Sequence, residues 1–99
     1  MTDPFAALGD TNRRAIVRAL AGGEKSVQEI ADEMPISRPA VSRHLKVLKG
    51  AGLVADRADG KRNLYSLHSV GVAEVRTFME EIWGTAVARF RLLVDNTSA

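Results

Sequence analysis

Seven cations stand between Ser37 and Arg62, namely Arg38, Arg43, Lys46, Lys49, Arg57, Lys61 and Arg62. Only Asp56 and Asp59 oppose them, so this stretch carries +5 while the whole chain carries +2. A basic block in an otherwise acidic chain is the electrostatic footprint of a nucleic-acid binder, because Lys and Arg take the place of counterions along the phosphates. The alternative reading is a solvated cationic face with no special partner. Other chemistries are poorly served. Cysteine is absent, which removes disulfides, thiol nucleophiles and thiolate metal sites. The two histidines, His44 and His68, fall in different segments. There is no glycine-rich phosphate loop, no acid pair at workable spacing and no nucleophile–histidine set. The expectation is a binding protein rather than an enzyme, with no cofactor and no bound metal.

Ninety-nine residues are the length of one domain, and the 26 Leu, Ile, Val and Phe residues among them are enough for a core. Residues 1–99 are therefore expected to form a single unit. No apolar run approaches the roughly 20 residues that cross a bilayer. No charged-then-apolar signal peptide opens the chain. A cytoplasmic protein without a membrane partner is expected.

The elements that must position the cations follow from spacing. Asp3-Pro4 starts a short helix through Phe5 and Leu8 that stops near Gly9. Asp10 and Thr11 begin a second, with Ile16, Val17 and Leu20 inside and Gly22-Gly23 at its end. Val27, Ile30, Ala31 and Met34 form the stripe of a third, which starts at Ser26 and is closed by Pro35. Ser37 caps a fourth, with Pro39 just inside and Val41, Leu45 and Leu48 as its buried stripe. The period then becomes that of strands. Leu53–Ala58 and Lys61–Leu67 flank Asp59-Gly60, the signal for a two-residue type I′ hairpin. A last helix runs from Ser69 to about Val94. The fold class is mainly α with a small β-hairpin, in the order ααααββα.

The third and fourth helices are joined by about three residues, Pro35-Ile36-Ser37, which makes them a helix-turn-helix. On a helical wheel Arg38, Pro39, Ser42, Arg43, Lys46 and Lys49 fall opposite the buried stripe. That face carries what a DNA major groove asks for: Arg for guanine, Ser as an adaptable partner and Lys for phosphate. Ser37, Arg38, Ser42 and Arg43 are the candidates for base contacts, and Pro39 and Lys46 complete the face. The hairpin adds Arg57, Lys61 and Arg62. With Asp59-Gly60 as the turn, Arg57 faces Arg62 across the strands, a repulsive pairing that suits a ribbon straddling phosphates. His44 lies near the buried side of its helix and is expected to be packed and hydrogen-bonded. Tyr65 is expected to pack rather than to bind phosphate.

These segments resemble the ArsR type of winged helix-turn-helix repressor over nearly the whole chain. The stretches that carry the likeness are ALGDTNRRAIVRAL at 7–20, SVQEIADEMPISRPAVSRHLKVLKGAGLV at 26–54 and DRADGKRNLYSL at 56–67. The resemblance implies a bacterial dimer that binds a palindromic operator and usually represses, on the nucleoid when bound. It implies double-stranded DNA and a second copy of the chain as partners. The departures matter as much. Where founding members carry metal-sensing cysteines, this chain has Glu24-Lys25-Ser26-Val27-Gln28, and no histidine follows Ser69. The chain therefore resembles a metal-independent subgroup with a Trp-centred aromatic stripe on its last helix.

At 1.5 Å per residue that last helix is roughly 39 Å long and outruns the core behind it. Its apolar stripe is expected to pair with a second copy through Met79, Trp83, Val87, Phe90 and Leu93, aided by Phe5 and Leu8 of the first helix. Any effector would be a small apolar molecule at that seam. The rival reading keeps the fold as a protein-interaction module without operator binding.

Overall fold

Every early helix begins on a side chain that accepts a backbone N–H. Asp3 accepts from Phe5 at 2.9 Å, Asp10 from Arg13 at 3.1 Å, Ser26 from Glu29 at 3.2 Å and Ser37 from Ala40 at 3.3 Å. Each bond satisfies one donor that the helix itself leaves unpaired. Ser26 and Glu29 add the reciprocal bond, Glu29 Oε1 accepting from the Ser26 amide at 3.0 Å, and so close a capping box.

The computed structural model describes the backbone of residues 2–97 and the side chains of residues 2–84. The order is α1 (Pro4–Ala7), α2 (Thr11–Leu20), β1 (Lys25–Ser26), α3 (Val27–Asp32), α4 (Arg38–Gly50), β2 (Val54–Asp59), β3 (Arg62–Leu67) and α5 (Ser69–Thr97). The helices and the hairpin follow in the predicted order. Strand β1 is not among the predicted elements. Two residues are too few to show a period of two, and they become a strand only by pairing Lys25 with Tyr65 and Ser26 with Leu64. The sheet thus has three antiparallel strands in the order β1-β3-β2.

The hairpin register also differs from the expected one. Asp59 pairs with Arg62 and Arg57 with Leu64, so the two-residue turn is Gly60-Lys61 and Arg57 does not face Arg62. A type I′ turn on Asp59-Gly60 would hold Asp59 at positive φ. Instead Gly60 sits in the first central position with φ 63°, the place that a type II′ turn gives to glycine. The link between α3 and α4 is likewise longer than expected, residues 33–37, because α3 ends at Asp32 before Met34 and Pro35.

The core gathers one face from each element. Ile16 and Leu20 of α2, Ile30 of α3, Val41, Leu45 and Leu48 of α4 and Val54 of β2 are all buried. Each such side chain stabilises the fold by about 1.5–3 kcal/mol through the apolar surface it removes from water. The stripe on α4 decides which of its faces is left outward. At the other end of the core, α5 starts directly on the turn after α4: the Gly71 amide donates to the Gly52 carbonyl at 2.8 Å.

Candidate nucleic-acid interface

With Val41, Leu45 and Leu48 inside, α4 turns Ser37, Arg38, Pro39, Ser42, Arg43 and Lys46 outward, and all six are exposed. The wheel assignment of this face therefore holds side chain by side chain. Pro39 lies in the first turn, where its missing N–H is no loss. Among the described residues Arg43, Lys46 and Lys61 make no ion pair. Arg38 meets only Gln28, whose Oε1 accepts from Nη1 at 3.4 Å. These groups stand ready for an external anion.

The remaining cations are engaged within the molecule. Lys49 Nζ lies 2.8 Å from Asp56 Oδ1, an ion pair that fastens the end of α4 to β2 and raises the Lys49 pKa. Arg57 grips Glu24 through two bonds, Nε to Oε2 at 2.8 Å and Nη2 to Oε1 at 2.9 Å. The same grip holds the Glu24 carboxyl below its ordinary value. Arg62 sits 3.6 Å from Glu29 Oε1 and 3.6 Å from Asp59 Oδ2. Glu29 is held low chiefly by the backbone and hydroxyl bonds from Ser26, with Arg62 and Lys25 adding to them. No sequence pattern marked Glu24 and Glu29 as partners of the wing, since they lie 33 residues from Arg57 and Arg62 respectively.

Between the first turn of α4 and the hairpin tip lies a cleft of about 420 Å³. Arg38, Lys61 and Arg62 line it, together with Gln28, Asn63 and Tyr65. The structure thus brings the first turn of α4 and the hairpin tip to one basic notch. Tyr65 is half-buried against the core, as its place in a strand implies. His44 is half-buried too, its Nδ1 3.4 Å from Nη1 of Arg13. Among the described residues no three His, Cys, Asp or Glu side chains converge as they would around a metal ion. No helix of the described residues is long and apolar enough to cross a membrane.

Residues 10–56, from the cap of α2 into β2, match the model of the bacterial regulatory proteins of the arsR family. The HTH-type transcriptional regulator Rv2034 of Mycobacterium tuberculosis is 49% identical over 92 residues, which cover 93% of this chain and 86% of that one. The chain belongs to the ArsR family. Its relatives are transcriptional regulators, not enzymes. The transcriptional repressor SdpR of Bacillus subtilis is 38% identical over 70% of the chain and 77% of its own length. Among solved structures, the homodimeric winged helix-turn-helix DNA-binding domain Mb0332 of Mycobacterium bovis superposes with a TM-score of 0.67. It is 28% identical and the match covers 88% of this chain and 81% of that one. In this ArsR-family chain, the helix-turn-helix lies wholly inside the matched segment, and the wing tip lies beyond it.

The residues expected at the seam are placed as follows. Phe5, Met79 and Trp83 are exposed, and Phe5, Phe78 and Trp83 stack edge-on with centroids 5.1 and 6.1 Å apart. Leu8, expected there too, is half-buried and packs against the core. It is the C-cap of α1. The side chains of Val87, Phe90 and Leu93 lie outside the described residues.

Proposed function

We propose that the chain is a sequence-specific, dimeric transcriptional repressor that binds a palindromic operator and does not respond to metal. The observation that carries this is the outward face of α4, where Arg38 and Arg43 stand beside Ser37 and Ser42 with no carboxylate partner. Arg38 and Arg43 are to read base edges, Pro39, Ser42 and Lys46 to line the groove, and Lys61 and Arg62 to hold the backbone that enters the basic notch. Arg57 supports this wing through Glu24 and adds its charge to the phosphates.

Repression is favoured by the likeness to SdpR, and pairing by the likeness to a homodimeric domain. In the paired form Met79, Trp83, Val87, Phe90 and Leu93 of residues 69–94 meet their symmetry mates, with Phe5 at the edge. Two recognition helices then sit about 34 Å apart, one DNA turn, which requires a palindrome. A small apolar effector at this seam would act by moving the two helices apart. The site of action is the nucleoid, in the cytoplasm.

Metal independence rests on ligand chemistry. Zinc asks for about four good donors at 2.0–2.3 Å. The chain offers no cysteine, Ser26 and Gln28 where thiolates would be needed, and a His44 already held by Arg13.

A gel shift on the DNA upstream of the gene, with a random duplex as competitor, tests the reading. Retention against the competitor, unchanged by EDTA or micromolar zinc, is the expected result. Equal competition would favour a protein-interaction module, and a reversible tenfold response to a metal would remove the metal-independence claim.

A further inference from the structure

Arg13 joins three helices with one side chain. Its Nε donates to the Ala7 carbonyl at 2.6 Å and its Nη2 to the Ala6 carbonyl at 3.3 Å, both at the C-terminal end of α1. Its Nη1 lies 3.4 Å from Nδ1 of His44 in α4 and 4.0 Å from the Asp10 carboxylate that caps α2. The Arg13 side chain is only 19% exposed, so this junction is largely shielded from water.

A guanidinium only donates, so in this contact Nδ1 of His44 takes the acceptor's place. The Pro4 and Ala6 carbonyls of α1 take the Leu8 and Gly9 amides, at 3.0 and 3.1 Å, whereas Arg13 is the donor that meets the Ala7 carbonyl. The far side of α1 carries Phe5, set against Phe78 of α5 at 5.1 Å. Direct contacts therefore run from α5 through α1 and Arg13 to α4, one residue beyond Arg43. His44 sits between the buried stripe and the outward face of α4.

We propose that Arg13 is a positioning residue for sequence reading: through His44 it sets the attitude of α4 against α1 and so sets discrimination between duplexes without touching DNA. This rests on the DNA-binding reading above. The planar fork is what the role requires, since a binding constellation must be held within about 0.5 Å of its productive geometry. A lysine at position 13 keeps the charge but presents no fork that reaches α1 and His44 together.

The test uses the full chain and a duplex enriched from a random library by the wild-type protein, with its scrambled version as reference. Arg13→Lys and His44→Leu are each expected to weaken the enriched duplex about tenfold, the scale of coupled neighbours. The scrambled duplex should be unaffected, and the double variant should lose no more than either single one. His44→Asn, whose Oδ1 replaces Nδ1 as acceptor, should stay within about threefold of wild type. Circular dichroism melts confirm that each variant is folded at the assay temperature, and the His44 arm stands alone if Arg13→Lys is not. Equal weakening on the scrambled duplex would mean direct phosphate contact and overturn the proposal. So would losses that multiply in the double variant, or an Asn variant as weak as Leu. If the wild-type protein enriches no duplex, the DNA-binding reading itself fails, a distinct result.

Discussion

Arg57 lays its guanidinium along the Glu24 carboxylate with bonds of 2.8 and 2.9 Å, and so ties the wing to the segment that leads into α3. Beside it Arg62 leans toward Glu29 at 3.6 Å. The wing is thus braced by two acids just ahead of and within the first helix of the helix-turn-helix.

That brace has an acid limit. The carboxyls of Glu24 and Glu29 are both held below their ordinary value of 4.5 in the folded chain, the first chiefly by Arg57 and the second chiefly by Ser26. A depressed folded pKa contributes stability that is complete above the ordinary value and is lost as pH falls through the folded one. Thermal melts should therefore show wild type above Glu24→Gln at pH 7, with the gap closing as pH falls below 4.5. A gap that stays constant with pH would contradict the account.

Recognition and wing residues should separate in their effects on DNA. Arg38→Ala and Arg43→Ala are expected to weaken a specific duplex by about 1–3 kcal/mol each and to relax its sequence preference. Lys61→Ala should weaken all duplexes alike and reduce the salt slope by about one. Anisotropy titrations at several salt concentrations distinguish the two. A changed sequence preference in the wing variant alone would reverse the assignment.

Much of this was legible in the sequence because capping residues and stripes act locally. Asp3, Asp10, Ser26 and Ser37 mark helix starts by chemistry within three residues, and Val41, Leu45 and Leu48 fix the outward face of α4 by period alone. What depends on distant partners was not legible. Strand β1 exists through Tyr65 and Leu64, the Arg57 charge is met by Glu24, and Arg13 reaches His44 across 31 residues. The hairpin turn was misplaced by one residue because Asp59-Gly60 suits a type I′ turn, while the chain places Gly60 first in a turn of opposite demands.

Gly71 is another residue no pattern singled out. A Cβ there would run into the Ala51 carbonyl and lie 3.0 Å from the Gly52 carbonyl carbon, both backbone atoms that cannot swing aside. Gly71→Ala should therefore cost about 1–3 kcal/mol or more by overpacking. Urea unfolding gives the value. A change below about 0.5 kcal/mol, ordinary for a surface site, would show that α5 is not seated on this turn.

The exposed Phe5–Phe78–Trp83 stack should be covered by a second copy. Sedimentation at micromolar concentration is expected to give a dimer for wild type and a monomer-shifted equilibrium for Trp83→Ala, with weaker operator binding in parallel. A stable wild-type monomer would remove the proposed seam.

The central claim is that the outward face of α4 reads sequence. Its most direct measurement is the ratio of affinities for an enriched duplex and its scrambled version, taken at one ionic strength for wild type and for the Arg38→Ala, Arg43→Ala double variant. The account predicts a ratio of about 10³ or more for wild type, the lower bound for specific binders, falling steeply in the variant. A wild-type ratio near one, or a high ratio that the variant leaves untouched, would contradict it.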